Sequence, residues 1–142
     1  MAELVLYGVA VSAFVAKVRI VLDHKNLRYA ELPPPEGYGS VAYRRIVPAG
    51  SVPGLTVDGV PLHDSNAIIE LLEDLAPAPS LRPPGVMERA QMRAILGFHD
   101  TRVEAAARTL FPVIKGTGTA NSGVAAINGA LMRLDEMLEP LM

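Results

Sequence analysis

Val52-Pro53-Gly54-Leu55-Thr56-Val57-Asp58-Gly59-Val60-Pro61-Leu62-His63-Asp64-Ser65 sits near the middle of the chain and carries its most legible structural signals. Two β-rich runs, Pro53 to Val57 and Val60 to Leu62, flank Asp58-Gly59, a dipeptide that tolerates positive φ and closes two-residue hairpins. The runs are therefore expected to pair antiparallel. Asp64 then serves as an N-cap for a helix whose apolar stripe is Ile68, Leu71, Leu72 and Leu75 and which ends before Pro77. The Val52-Pro53 bond lies where a loop enters the first strand. Two conformations fit that position: an ordinary trans proline at a strand start, and a cis bond that turns the chain and shows the Val52 N–H and C=O to a ligand in strand-like pairing.

Upstream, Glu3 to Tyr7 is a short aliphatic run, followed after Gly8 by a loop carrying Ser12 and a helical pattern through Asp23, with Val15, Val18 and Leu22 on one face. Leu27 to Leu32 reads as a second strand, ended by Pro33-Pro34-Pro35 with Gly37 and Gly39. A short helical or irregular stretch, Ser40 to Ile46, leads to the hairpin. The order is βαβ, a link, then ββα, and strand-helix-strand is the usual start of a parallel sheet. Leu4 to Ala16 is apolar enough to imitate a targeting signal, but it is too short to span a bilayer and is preceded by the acidic Glu3 rather than a basic region. It is read as a buried strand and the helix after it.

Downstream, five residues of Pro77, Pro79, Pro83, Pro84 and Gly85 stiffen a short stretch, which makes 77–85 the expected linker between a domain at 1–76 and a helical segment at 86–142. Met92, Ile95, His99, Val103, Ala106 and Leu110 step along one predicted helix ending near Pro112. Val124, Ile127, Leu131, Leu134, Leu138 and Leu141 step along another, too short for a coiled coil and expected to pack antiparallel on its predecessor.

Composition narrows the chemistry. The 142 residues are 50% hydrophobic with a net charge of -2, enough apolar side chain for a real core and no electrostatic footprint for nucleic acid or an acidic membrane. There is no cysteine, so disulfides, thiolate metal sites and Cys nucleophiles are all excluded, and any reactive sulfur must come from a ligand. His24 and His63 lie in connecting regions without metal-ligand spacing, and His99 reads as a histidine on an apolar stripe. Arg89, Arg93, Arg102 and Arg108 read as a solvated or subunit-facing surface, and Lys17 as a solvated helix face. Asp64 and Ser65 fit two roles, a simple cap or a carboxylate-binding helix N-terminus, and Ser12 likewise fits a cap or a functional hydroxyl.

Leu6-Tyr7, Ser12, Lys17-Val18-Arg19-Ile20, Val52-Pro53 and Asp64-Ser65-Asn66-Ala67-Ile68-Ile69-Glu70 with Leu72-Glu73, in this order and spacing, resemble the amino-terminal half of cytosolic-type glutathione S-transferases. The likeness runs through residues 4 to 76 and continues weakly beyond. It implies an α/β thioredoxin-like domain, βαβ-ββα around a mixed four-stranded sheet, with Pro53 in cis, followed by an all-α domain. It also implies that Val52 and Pro53 offer a backbone edge to the cysteinyl part of glutathione, that Asp64 and Ser65 receive its γ-glutamyl end, and that Ser12 is the catalytic group, donating a hydrogen bond to the glutathione sulfur. A free thiol near pKa ~8.5 is a few per cent ionised at neutral pH, and each unit of depression takes about 1.4 kcal/mol. One charge-assisted hydrogen bond, about 1.5–3 kcal/mol, is enough to make thiolate the major form.

Glutathione is thus expected as co-substrate, with a small electrophile as second substrate, no metal, no nucleic acid or membrane partner, a homodimer, and a cytoplasmic location. Two departures bear on affinity: the family's Asn-Pro-x-Gly-Lys-Val-Pro reads Val47-Pro48-Ala49-Gly50-Ser51-Val52-Pro53, and Asp64 stands where Glu or Gln is commoner. Members that use a cysteine near position 12 are excluded. Val11-Ser12-Ala13 in place of the zeta-like Ser-Ser-Cys disfavours maleylacetoacetate isomerisation, and Tyr7 is a secondary catalytic candidate. The rival to an enzyme is a non-catalytic glutathione-transferase-like binding or protein-interaction module. With two helices after the linker, the helical domain is expected to be incomplete.

Overall fold

β1 (Leu4–Tyr7) lies inside a four-stranded sheet of order β2-β1-β3-β4, flanked by β2 (Ala30–Leu32) and β3 (Gly54–Val57), with β4 (Val60–His63) at the far edge. This computed structural model describes residues 1–118 and 121–141; residues 119, 120 and 142 of the expected helical segment lie outside the described residues. The chain divides into two units, Met1–Arg82 and Pro83–Met142.

In the first unit β1 pairs parallel with β2 and antiparallel with β3, and β3 pairs antiparallel with β4. Asp58 and Gly59 both take positive φ, 48° and 80°, as the tight hairpin between β3 and β4 requires. Pro61 is tolerated because β4 is an edge strand, where a missing N–H costs no ladder bond. Period two sends Leu4 and Leu6 into the core, where they meet Val15, Val18, Val21 and Leu22 of α1 (Ala13–His24) and Ile68 and Leu72 of α3 (Ser65–Leu75). The short helix α2 (Val41–Arg44) contributes the fully buried Tyr43.

The second strand is shorter than the expected Leu27 to Leu32. Two residues past the end of α1, Asn26 takes φ 52° and closes the helix, its N–H donating to Asp23 O and that of Leu27 to Leu22 O, a closure that commits Leu27 to the helix terminus.

Residues 77–82, inside the expected linker, are fastened to the first unit. Lys25 Nζ donates to Ala76 O (2.7 Å) and Pro79 O (2.9 Å) and pairs with Glu73 Oε1 at 2.7 Å, while Glu73 also accepts from Leu81 N and Ser80 Oγ. Both charged side chains are buried. Burial raises the Glu73 carboxyl, but the hydrogen bonds from Lys25 and Leu81 outweigh it and hold the group below the usual carboxylate range. Arg82 closes the unit on Glu70 and Asp74.

The second unit is helical throughout: α4 (Val86–Phe98), a π-helical turn (His99–Val103), α5 (Glu104–Arg108), α6 (Phe111–Ile114), α7 (Asn121–Leu138) and a 3-10 turn (Glu139–Leu141). The single helix predicted through Leu110 is therefore interrupted by a wider turn, where the Thr101 hydroxyl donates to Gly97 O and His99 Nδ1 lies 2.9 Å from Asp100 Oδ1. The expected antiparallel leucine seam also differs. Val124, Leu131, Leu138 and Leu141 are exposed. Ala125, Ala126, Gly129 and Ala130 instead line a groove with Phe98, Arg102 and Ala106. Among the described residues no helix is long and apolar enough to cross a membrane.

Candidate functional site

The register of the sheet brings three separated segments to one end. Gly54 is the partner of Tyr7 on one side and of His63 on the other. The loop from Gly8 to Ser12 leaves the sheet after Tyr7, the Val52-Pro53 bond enters it before Gly54, and Asp64-Ser65 follows His63. All five site residues named from sequence therefore emerge at the same edge of one domain.

Ser12 is the N-cap of α1, with extended backbone (φ -83°, ψ 116°) and an Oγ that accepts from Val15 N at 3.3 Å. The cap uses a hydroxyl lone pair and leaves the proton available for donation, so capping and a functional role are compatible. The side chain is partly exposed at the positive end of the helix dipole.

Val52-Pro53 is a cis bond. Val52 lies two residues before the first paired position of β3, so its backbone groups are outside the sheet ladder, while Pro53 is buried. Asp64 caps α3 through Oδ1, accepting from Asn66 N at 2.9 Å and Ala67 N at 3.0 Å. Its φ of 72° with ψ 116° is a left-handed conformation costly for a residue with a side chain, of order 1–3 kcal/mol. Ser65, the first residue of α3, is only 5% exposed, and its hydroxyl has no partner among the described residues. A hydroxyl unspent on the protein, beside the Ser65 N–H that Asp64 leaves uncapped at the helix start, is equipped to receive a carboxylate.

Lys17 differs from its predicted solvated role. It is half-buried, its Nζ donates to Asn66 Oδ1 at 2.8 Å, and it lies 5.6 Å from the Phe14 ring centroid. It links α1 to the first turn of α3. Tyr7 is half-buried with its ring centroid 5.7 Å from that of Tyr43.

Tyr43 is the residue that sequence reasoning missed. Its hydroxyl donates to Ser51 O at 2.9 Å from a fully buried position, and burial, with Tyr7 nearby, pushes its pKa up to about 12. The phenol is therefore a proton donor across the neutral range. A Cβ on Gly54 would fall on Tyr43 Oη and lie 2.7 Å from Val47 Cγ2, so glycine is what lets the tyrosine reach the loop. A tyrosine in a short uncertain helix carries no local signal of this.

Among the described residues no cluster of His, Asp and Glu side chains able to hold a metal occurs. The mixed β2-β1-β3-β4 sheet with a cis proline entering β3 and two helix N-termini at that end defines a thioredoxin-like domain. Residues 6–80 match the family model described as glutathione S-transferase, N-terminal domain, and the chain belongs to that family.

The chain is 34% identical over 99 residues to a probable maleylacetoacetate isomerase 1 of Drosophila melanogaster, covering 65% of this chain and 40% of that protein. It resembles the holo structure of a maleyl pyruvate isomerase, a bacterial glutathione S-transferase in the zeta class, at 25% identity and TM-score 0.78, over 96% of this chain and 68% of that one. A glutathione transferase homologue of Drosophila mojavensis with bound glutathione aligns at 25% identity and TM-score 0.77, over 92% and 63% of the two chains. The chain spans 40% to 58% of the length of the curated relatives it matches. These likenesses run against setting the isomerases aside on Val11-Ser12-Ala13 alone.

Proposed function

We propose that this chain binds glutathione at the sheet end formed by Ser12, Val52, Pro53, Asp64 and Ser65 and activates its thiol for attack on an electrophilic carbon. The observation that carries the proposal is Ser65, a mostly buried residue at the start of α3 whose hydroxyl has no partner among the described residues, next to an Asp64 held in a costly conformation. The γ-glutamyl carboxylate takes the hydroxyl and backbone N–H of Ser65, and the free oxygen of Asp64 faces the ammonium. The Val52 backbone pairs with the cysteinyl residue. Ser12 donates its proton in a hydrogen bond to the sulfur and is not itself a covalent nucleophile.

The thiol proton leaves to solvent, and the thiolate forms a carbon–sulfur bond as a leaving group departs or the new carbanion is protonated. The isomerase relatives favour a second outcome of the same step: addition to a cis double bond, rotation, and elimination that returns glutathione unchanged. Ser51 in place of the family lysine is expected to weaken binding. Association into a homodimer belongs to the same reading, and a monomer in sedimentation at micromolar protein would remove it.

Calorimetry with glutathione, followed by assays with a generic aromatic electrophile and with a cis-enedioic acid, tests the whole. Thioether formation supports transfer and a trans product with no net thiol loss supports isomerisation. Binding without either leaves a binding module, and no binding at millimolar glutathione refutes the site.

A further inference from the structure

We infer that Tyr43 is a positioning residue that holds the ligand-facing edge of the Val52-Pro53 loop. The inference rests on the glutathione reading given above. Between β1 and that loop the fold places one large, fully buried aromatic ring, with its single polar atom spent on a loop carbonyl, Ser51 O, 2.9 Å away.

The ring has contacts on both sides of the site. Tyr7, 5.7 Å away between centroids, is the last residue of β1 before the loop to Ser12. Val47, fully buried, and the bare Cα of Gly54 enclose the phenol, leaving no room for a Cβ at 54. At its own base Tyr43 is anchored by a backbone N–H that donates to Ser40 Oγ at 3.0 Å, and Ser40 Oγ in turn donates to Pro35 O at 2.7 Å.

The consequence is orientation of one peptide unit. The carbonyl that accepts from Tyr43 belongs to the peptide linking Ser51 to Val52, and its other end is the Val52 N–H. Fixing the carbonyl toward the protein interior turns the N–H to the opposite side, because a trans peptide is planar. A ligand backbone that pairs with Val52 then meets a preset donor rather than one free to rotate, which lowers the ordering cost of binding. The phenol does not touch the ligand.

Tyr43→Phe removes one oxygen and keeps the ring. The test compares glutathione with an analogue in which a trans carbon–carbon double bond replaces the cysteinyl–glycine peptide bond, which removes the carbonyl that would accept from the Val52 N–H. Wild type is expected to prefer glutathione, and Tyr43→Phe to bind glutathione about three- to tenfold more weakly, the worth of one net hydrogen bond, while its affinity for the alkene analogue stays within twofold. The rate at saturating glutathione is expected to stay within twofold, so that the loss falls on KM. Equal losses for both ligands, or unchanged glutathione affinity in a folded variant, overturn the inference. If wild type binds neither ligand, the glutathione reading itself fails, and the inference with it. Tyr43→Leu, expected to lower the melting temperature by far more than Tyr43→Phe, separates ring packing from the hydroxyl.

Discussion

Replacing Ser12 separates a helix cap from a thiol-activating donor. Its Oγ sits 3.3 Å from Val15 N, at the long end for a hydrogen bond, so Ser12→Ala is expected to cost only about 0.5–1 kcal/mol of stability. The catalytic cost is larger. A donor worth about 1.5–3 kcal/mol moves a thiol from pKa ~8.5 to about 6.3–7.4, and raises the thiolate share at pH 7 from about 3% to about 30–80%. Losing it lowers turnover at pH 7 by about 10- to 25-fold. The sign of the pH dependence follows. Because the wild-type protein depresses the thiol pKa, its advantage is complete well below pH ~8.5 and disappears above it, where the variant's thiol ionises unaided.

Two further substitutions sharpen the test. Ser12→Asp caps a helix as well as serine but has no proton to donate and opposes a thiolate, so it is expected to keep the melting temperature and lose activity. Ser12→Thr keeps both functions. Rates are read from initial conjugation velocities between pH 6 and pH 10, and stability from thermal unfolding of the same samples. An alanine variant within twofold of wild type at pH 7, an active aspartate variant, or a deficit that persists unchanged at pH 10 refutes the donor role.

Other perturbations probe the frame around the site. Lys25→Met strips a buried carboxylate of its cation and is expected to destabilise the first unit by about 3–5 kcal/mol in urea titrations. In wild type the depressed Glu73 carboxyl adds stability that is present above its ordinary value near pH ~4.3 and lost as pH falls through the depressed one. An unfolding midpoint in Lys25→Met within about 1 kcal/mol of wild type would show that the pair is solvated rather than buried. Gly54→Ala drives a methyl into Tyr43 and Val47 and is expected to cost about 1–3 kcal/mol, measured by thermal melts, with Tyr43→Ala partly restoring room. Asp64→Asn retains the cap and tolerates positive φ, so stability is expected within about 0.5 kcal/mol of wild type, whereas glutathione affinity in calorimetry falls if the carboxylate meets the ammonium. Unchanged affinity assigns Asp64 to capping alone.

Much of this molecule is written locally. Asp58-Gly59 dictates a hairpin because few other pairs adopt two positive φ angles, Ser12 and Asp64 start helices because their oxygens satisfy nearby N–H groups, and the stripes of α1 and α3 follow from 3.6-residue periodicity. Each signal acts over a few residues, which is why element order and the positions of Ser12, Val52, Pro53, Asp64 and Ser65 at element ends were legible. The shortened β2 was less so, since the helix-closing bonds of Asn26 and Leu27 compete with strand pairing over the same residues.

Tertiary structure decided what depends on partners distant in sequence. Lys25 and Glu73 lie 48 positions apart, yet their buried pair converts a proline-rich stretch into part of the first unit. Lys17 becomes a bridge because Asn66 happens to face it, and Tyr43 becomes the support of a loop because sheet register sets a bare glycine in front of its ring. Sequence by itself determined which backbone segments form and which chemical groups stand at their ends, since those choices rest on local sterics and hydrogen bonding. Only the closed fold decided which of those groups are buried, paired or left unspent, because burial and pairing are set by chain segments whose meeting no local preference encodes.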